Sequence, residues 1–204
     1  MNNIEKIREE TKDVVLVAAT KYIDCEKMRS LFNYGINNFG ENRVDSFLKK
    51  KNELKDLNIT WHFIGHLQKN KASKVINEID YLHSLDSIEL AKIINEKRKT
   101  PLKCFVELHL TSSTTKNGVR EEELDSFMDK LRQFKNINVI GFMTMSDVGY
   151  KVEETQSVFE KANHLKEKYH LSELSIGMSD DYKIALKCGA TFIRLGRILY
   201  SLPF

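Results

Sequence analysis

The residue of this sequence best suited to covalent chemistry is a lysine at the end of an apolar run. Lys21 directly follows the segment VVLVAAT, residues 14–20. If that run is a buried strand, the lysine amine lies in an apolar setting. Desolvation there disfavours the ammonium form and frees the amine to attack an aldehyde. The pattern therefore indicates a nucleophilic amine, and the alternative is a strand-terminal lysine that reaches solvent.

Two further segments have the composition of a phosphate site. GMSDD, residues 177–181, predicts a helix start at Ser179, where unpaired N–H groups and the helix dipole attract an anion. RLGR, residues 194–197, places a glycine between cationic side chains and lets the backbone approach a ligand closely. These segments predict a phosphate cradle beside the amine. The alternative is an ordinary helix cap and a surface arginine.

The three segments lie at the ends of short apolar runs that recur along the chain. Several runs are β-branched or aromatic at consecutive positions, which is typical of strands buried on both faces. We predict eight strands, at residues 14–19, 38–39, 60–64, 81–84, 103–110, 139–143, 173–177 and 191–195.

The stretches between these runs have helical spacing. Apolar residues recur on one face of residues 86–98 and of residues 122–134, and a further helix, 4–12, precedes the first strand. The predicted helix boundaries are N-caps at Asp24, Asp86 and Ser179, and glycines just after helix ends at positions 35 and 189.

Eight strands alternating with helices, at roughly 25 residues per unit, predict a (β/α)8 barrel of the TIM type. The alternative is an open doubly wound sheet, but no Gly-x-Gly-x-x-Gly follows the first strand. Only residues 196–204 follow the eighth strand. We therefore expect residues 1–204 to form one domain with an extra N-terminal helix. In such barrels the active site lies at the carboxyl ends of the strands.

Composition and charge argue against several other classes of protein. The 32 Lys and Arg residues exceed the 29 Asp and Glu residues only slightly and are interleaved with them, whereas nucleic-acid binders concentrate positive charge on one face. No signal peptide and no apolar run of roughly 18 residues is found, so we expect a cytoplasmic protein without a membrane span. The three cysteines and the histidines at positions 66, 83 and 109 lack metal-ligand spacing, so no metal site is predicted.

A resemblance to the YggS-type pyridoxal phosphate homeostasis proteins is carried, in chain order, by the segments LVAATK, FGENRV, WHFIGHLQKNK, GFMTMS, LSIGMSDD and FIRLGR. It extends from Val14 to Tyr200, and WHFIGHLQKNK and GMSDD are its most specific motifs. The family is similar in fold to the barrel domain of alanine racemase but lacks the C-terminal β-domain of that enzyme.

The resemblance implies that pyridoxal 5′-phosphate binds at the barrel mouth as a Schiff base on Lys21. It places Asn42 beside the ring hydroxyl of the cofactor and Arg194 opposite its pyridine nitrogen. It also implies that the phosphate group is held by Met178, Ser179, Gly196 and Arg197, and that Ser175 and His62 lie near the site. No catalytic residue and no metal ligand follows from it.

The sequence departs from the family pattern at several positions. Many relatives have a second lysine two positions after the Schiff-base lysine, often followed by proline, where this chain has Ile23 and Asp24. Thr20 replaces the usual serine, and Arg197 stands where many relatives have threonine. Lys116, in the loop after the fifth strand, is a candidate second amine, with a solvated loop lysine as the alternative.

The function implied by the resemblance is binding of pyridoxal phosphate for vitamin B6 homeostasis or delivery, by a cytoplasmic monomer without strong catalysis. Arg194 would disfavour protonation of the ring nitrogen because adjacent cations repel, and an unprotonated ring is a weaker electron sink. Recipient enzymes that depend on pyridoxal phosphate are possible partners. The alternatives are a small pyridoxal phosphate-dependent amino-acid racemase, a cofactor-free Schiff-base aldolase and an interaction module.

Overall fold

The computed structural model describes residues 3–113 and 117–200, which form a closed barrel of eight parallel strands. The strands are β1 (Val15–Ala19), β2 (Asn38–Glu41), β3 (Thr60–Phe63), β4 (Tyr81–Leu85), β5 (Leu102–Glu107), β6 (Ile137–Met143), β7 (Glu173–Ser175) and β8 (Phe192–Leu195). The helices are α1 (Asn3–Glu10), α2 (Cys25–Asn33), α3 (Val44–Glu53), α4 (Lys69–Ala72), α5 (Ile88–Lys97), α6 (Glu121–Leu131), α7 (Val152–Lys168), α8 (Tyr182–Lys187) and α9 (Arg197–Tyr200). A helix follows every strand, and α1 precedes β1, so the predicted (β/α)8 barrel is confirmed.

The barrel closes where the last strand pairs with the first. In the parallel pairing of β1 with β8, Val17 lies opposite Arg194 and Ala18 lies opposite Leu195. Side chains alternate between the two faces of a strand. Val17 and Phe192 belong to the small apolar cluster inside the barrel, so Arg194, two residues after Phe192, has its side chain on the inner face.

Apolar packing divides into an inner and an outer cluster. The inner cluster contains Val17, Phe105, Met143 and Phe192. The much larger outer cluster joins the outward faces of the strands to the helices, with fully buried side chains such as Leu31, Phe47, Ile94, Leu124 and Phe159. Each fully buried side chain of this size stabilises the fold by roughly 1.5–3 kcal/mol. Most of the stabilising apolar burial is therefore outside the barrel wall, which leaves room for polar groups inside it.

The helix after β1 has the predicted boundaries. The Asp24 side chain accepts a hydrogen bond from the backbone N–H of Lys27, at 2.9 Å, and caps α2. Gly35 follows the end of α2 with φ of 82°, a left-handed conformation that glycine adopts at little cost. Gly189 has the same role after α8, with φ of 85°. These three predicted caps are confirmed.

Two predicted caps are wrong by one to two residues. Ser87, not Asp86, is the N-cap of α5, because its hydroxyl accepts a hydrogen bond from the Leu90 N–H. Ser179 is not a cap, because α8 begins later and has Asp181 as its N-cap. The Asp181 carboxylate accepts a hydrogen bond from the Met178 N–H and closes a turn before the helix.

Strand lengths differ modestly from the prediction. The second strand extends to Glu41 and the fourth to Leu85, since their neighbours pair along these extra residues. The fifth strand ends at Glu107 rather than continuing to position 110. Beyond Glu107 the chain bonds to a returning segment, with the His109 N–H donating to the Val119 carbonyl. Among residues 3–113 and 117–200, no helix is both long enough and apolar enough to cross a membrane.

Candidate functional site

Lys21 lies in the turn that follows β1, at the carboxyl end of the barrel, as predicted. Its side chain is exposed, and its Nζ lies 4.8 Å from the ring centroid of Tyr22, a residue 75% exposed. The expected apolar, desolvated setting is therefore wrong. The chain turns after Thr20, where the Ile23 N–H donates to the Thr20 carbonyl at 3.1 Å, and this turn leaves the Lys21 side chain exposed to solvent.

A buried ion pair supports the backbone directly before this lysine. Lys50, on α3, contacts the Glu41 carboxylate at 2.5 Å, and the two side chains are 9% and 0% exposed. The same ammonium donates to the carbonyl of Thr20 at 2.6 Å, and the Thr20 hydroxyl donates to Glu41 at 2.8 Å. These hydrogen bonds hold the end of β1 against β2 and thereby set where Lys21 begins.

Asn42 lies next to Glu41 at the end of β2, where two backbones approach closely. A Cβ added to Gly65 would lie 2.6 Å from the Asn42 carbonyl oxygen, so only glycine fits at the end of β3. The Asn42 N–H donates to the Glu41 carboxylate at 3.1 Å. Within the described residues, the side-chain amide of Asn42 makes no hydrogen bond, which leaves it available at the barrel mouth.

Backbone N–H groups converge beside Ser179, after the end of β7. The Ser179 hydroxyl accepts hydrogen bonds from the Gly196 N–H at 3.1 Å and from the Ile198 N–H at 3.4 Å. A Cβ added to Gly196 would lie in ordinary van der Waals contact, 3.7 Å from the Tyr200 ring and 3.8 Å from Ala19, without a clash. Its nearest neighbours include Ala19, on the strand that carries Lys21. The predicted phosphate segments therefore meet each other and lie next to the lysine strand.

The Arg197 side chain extends away from these N–H groups. Its guanidinium contacts the carboxylate of Asp180, and the two side chains are 74% and 81% exposed. A surface ion pair of this kind contributes little to stability because water and salt screen it. The expectation that this guanidinium joins the phosphate cradle is therefore not supported by its position, whereas its backbone lies in the cradle between Gly196 and Ile198.

Arg194 is a buried charged group inside the barrel. It is 4% exposed, and its Nη1 donates to the carbonyl of Ser175 at 2.8 Å and to the hydroxyl of Ser175 at 2.5 Å. Its Nη2 donates to the carbonyl of Thr144 at 3.2 Å. Burial lowers the pKa of Arg194 to about 10, an effect that Asp181 and Glu107 oppose from a distance. The guanidinium therefore stays protonated at neutral pH, without a carboxylate in contact among the described residues.

A row of hydrogen-bonded side chains leads from Arg194 across the barrel interior. The Ser175 hydroxyl lies 2.9 Å from His83 Nδ1, and His83 Nε2 lies 3.0 Å from His62 Nδ1. His62 Nε2 lies 2.9 Å from the Asn38 side-chain oxygen. Burial lowers the pKa of His62 to about 3, and burial with repulsion from His62 and Arg194 lowers that of His83 well below 6.5. Both imidazoles are neutral at neutral pH.

His62 was expected near the site, whereas His83 was considered only as a metal ligand and no role in the site was predicted for it. The alternation of side chains along β4 could have revealed the inward position of His83, since Tyr81 and His83 lie on the same face of the strand.

Lys116 lies outside the described residues. Over the described ranges, no group of three or more His, Cys, Asp and Glu side chains is arranged to hold a metal ion.

Comparison with known proteins gives consistent matches along the whole chain. Residues 1–203 match the family described as alanine racemase, N-terminal domain. The pyridoxal phosphate homeostasis protein of Aquifex aeolicus is 34% identical over 195 residues, which cover 91% of this chain and 86% of that protein. The protein with the same description from Synechocystis is 36% identical over 199 residues, covering 92% and 91% of the two chains.

A solved structure matches closely as well. PipY of Synechococcus elongatus, with pyridoxal phosphate bound, superposes with a TM-score of 0.89 at 31% identity. The match covers 98% of each chain. The barrel described above is therefore shared with a protein that holds this cofactor.

The buried ion pair generates a stability prediction. Lys50→Met leaves the Glu41 carboxylate buried and unpaired, which should lower the free energy of unfolding by about 3–5 kcal/mol. The double variant Lys50→Met/Glu41→Leu should recover at least half of that loss, because no uncompensated charge remains. Urea unfolding of the three proteins measures both effects. A single-variant loss below about 1 kcal/mol, the value of an exposed pair, would contradict this role.

Proposed function

The chain belongs to the YggS-type family of pyridoxal phosphate homeostasis proteins, and from this membership we propose that it binds pyridoxal 5′-phosphate at the carboxyl end of its barrel. The observation that carries the proposal is that Arg194 is buried and has unused hydrogen-bond donors. An arginine has five N–H donors. Three are used, at Nη1 and Nη2, and the donors left on Nε and Nη2 have no acceptor among the described residues. A buried cation with spare donors fits an acceptor such as an unprotonated pyridine nitrogen.

The other proposed contacts fit the remaining parts of the cofactor. The N–H groups of Gly196 and Ile198 converge with the hydroxyl of Ser179, and such a cluster of donors suits a phosphate group. Met178 would help to hold the phosphate through its position in the turn beside Ser179. The side-chain amide of Asn42 is available to bind the ring hydroxyl. Arg197 would act through its backbone, because its guanidinium is engaged with Asp180.

Lys21 is the proposed attachment point. When bound, the cofactor supplies an aldehyde that condenses with a primary amine and loses water. The Lys21 amine is hydrated and accessible, so it would be reached from solvent rather than activated by burial. The ion pair of Glu41 with Lys50 fixes the backbone that presents it. Ser175 is fully buried beneath Arg194, so it would hold that arginine rather than contact the cofactor.

We further propose that the protein stores or delivers the cofactor without strong catalysis of its own. The protonated Arg194 opposite the ring nitrogen would repel a second proton there, and electron withdrawal by the ring would stay weak. An exposed attachment lysine suits reversible binding and release to recipient enzymes that depend on pyridoxal phosphate. We propose that residues 1–204 act as one domain, as a cytoplasmic monomer.

The first test of this function is chemical trapping. Borohydride reduction of the protein with pyridoxal phosphate should place one stoichiometric adduct on Lys21, and Lys21→Ala should abolish it. Lys103→Ala is the matched control, because the Lys103 amine contacts Tyr81 near the start of β4, away from the mouth, and its loss should leave the adduct intact. Peptide mapping that finds the adduct mainly on another lysine, Lys116 included, would reject the proposed attachment point.

A second test separates the phosphate contacts. Ser179→Ala should weaken the binding of pyridoxal phosphate about tenfold to a hundredfold more than the binding of pyridoxal. The reason is that a hydrogen bond to a charged group contributes roughly 1.5–3 kcal/mol. Arg197→Ala should change the affinity for pyridoxal phosphate less than about fivefold, since its exposed ion pair is screened. Both constants can be measured by absorbance titration. Equal losses for the two ligands in Ser179→Ala would mean that the phosphate binds elsewhere.

A further inference from the structure

The hydrogen-bonded row inside the barrel has a defined direction. An arginine can only donate hydrogen bonds, so the Ser175 hydroxyl accepts from Arg194 and has its own proton free for His83 Nδ1. His83 must then carry its proton on Nε2 and donate to His62 Nδ1. His62 in turn donates from Nε2 to the side-chain oxygen of Asn38. This assignment, inferred from the network, gives the Ser175 hydroxyl and the N–H groups of both imidazoles an acceptor.

The row connects two groups of strands on opposite sides of the barrel. Asn38, His62 and His83 lie on β2, β3 and β4, whereas Ser175 and Arg194 lie on β7 and β8. The step from His83 to Ser175 therefore crosses the interior of the barrel. The imidazoles are also held by ring stacking, His83 on Phe105 at 4.5 Å and His62 on Tyr81 at 4.6 Å between centroids. The row is thus fixed by packing as well as by hydrogen bonds.

We propose that His83 and His62 are positioning residues that, through Ser175, hold the Arg194 guanidinium with its spare donors aimed at the ring nitrogen of the bound cofactor. This inference rests on the proposed function of the site. His83 keeps the Ser175 proton turned away from Arg194, so that the hydroxyl presents lone pairs to the guanidinium. His62 fixes the tautomer of His83 and is itself anchored by Asn38.

One alternative to this role is a purely structural one. A polar row in the core could serve only to join β2, β3 and β4 to β7 and β8, as a structural link. In that case the loss of the row would destabilise the barrel and weaken the binding of every ligand equally. A positioning role predicts instead a selective loss of the interaction with one atom, the pyridine nitrogen, because a hydrogen bond responds strongly to the position of its donor.

The experiment compares pyridoxal phosphate with its 1-deaza analogue, in which a C–H group replaces the ring nitrogen. The wild-type protein should bind pyridoxal phosphate at least about tenfold more tightly, since Arg194 donates to the nitrogen and cannot donate to C–H. His83→Phe keeps the ring that stacks on Phe105 but removes both nitrogens. It should reduce the preference to about twofold or less, even where the affinity for both ligands also falls.

Matched variants separate positioning from stability. His83→Asn retains a side-chain oxygen close to the place of Nδ1, so it should accept the Ser175 proton and keep most of the preference. Ser175→Ala removes the link to Arg194 and should lose the preference as His83→Phe does. Tyr81→Phe alters the same aromatic cluster outside the row, where the hydroxyl contacts Lys103 at 3.2 Å, and should keep the wild-type preference.

The possible outcomes distinguish this inference from the proposed function. Binding of pyridoxal phosphate with no preference over the deaza analogue in wild type would overturn the inference and leave the binding function standing. A wild-type preference that persists in both His83→Phe and Ser175→Ala would also overturn it. If His83→Phe does not fold, Ser175→Ala decides, because it removes a single oxygen. Failure of wild type to bind either ligand would reject the proposed function itself.

Discussion

The pairing of the last strand with the first is the constraint on which the site depends. Because β8 lies beside β1 in fixed register, Val17 is opposite Arg194, and Ala19 contacts the position of Gly196. A shift of one residue would exchange the two faces of β8. It would move Arg194 out of the barrel and into the apolar layer beneath the helices. The register therefore places a cation inside, a glycine at the rim and the lysine turn beside both.

Burial of a guanidinium without a carboxylate is costly, and the barrel offsets this with polar groups. Arg194 donates to the carbonyls of Ser175 and Thr144 and to the Ser175 hydroxyl. Burial and repulsion from Arg194 keep His83 neutral, so a proton acceptor rather than a second cation faces the serine. An apolar interior would be more stable by this reasoning. The polar row is understandable as a device that gives one charged group a defined orientation.

The architecture and the general location of the site could be predicted from the sequence. Short apolar runs that recur between helical stretches predict the eight strands, and Lys21 and Gly196 follow strands in the expected places. Other features depend on contacts between distant segments. Lys21 is exposed in a turn after Thr20, and the ion pair that supports the backbone before this turn joins Glu41 to Lys50 on α3. No local pattern reveals such a pair.

The role of His83 was equally out of reach, although its inward position on β4 could have been read from alternation. Its partner Ser175 is 92 residues away in the sequence. Only closure of the barrel brings the two together. The helix near Ser179 begins later than predicted because of a side-chain contact. The Asp181 carboxylate accepts a hydrogen bond from the Met178 N–H, so residues 178–181 form a turn before the helix.

The central claim is that Arg194 faces an unprotonated pyridine nitrogen in a cofactor held on Lys21. The most direct measurement is the 15N chemical shift of pyridoxal phosphate labelled at the ring nitrogen and bound to the wild-type protein at neutral pH. We expect a shift in the range of an unprotonated pyridine that accepts a hydrogen bond. A shift in the pyridinium range would contradict it, because a protonated nitrogen cannot accept a hydrogen bond from the guanidinium of Arg194.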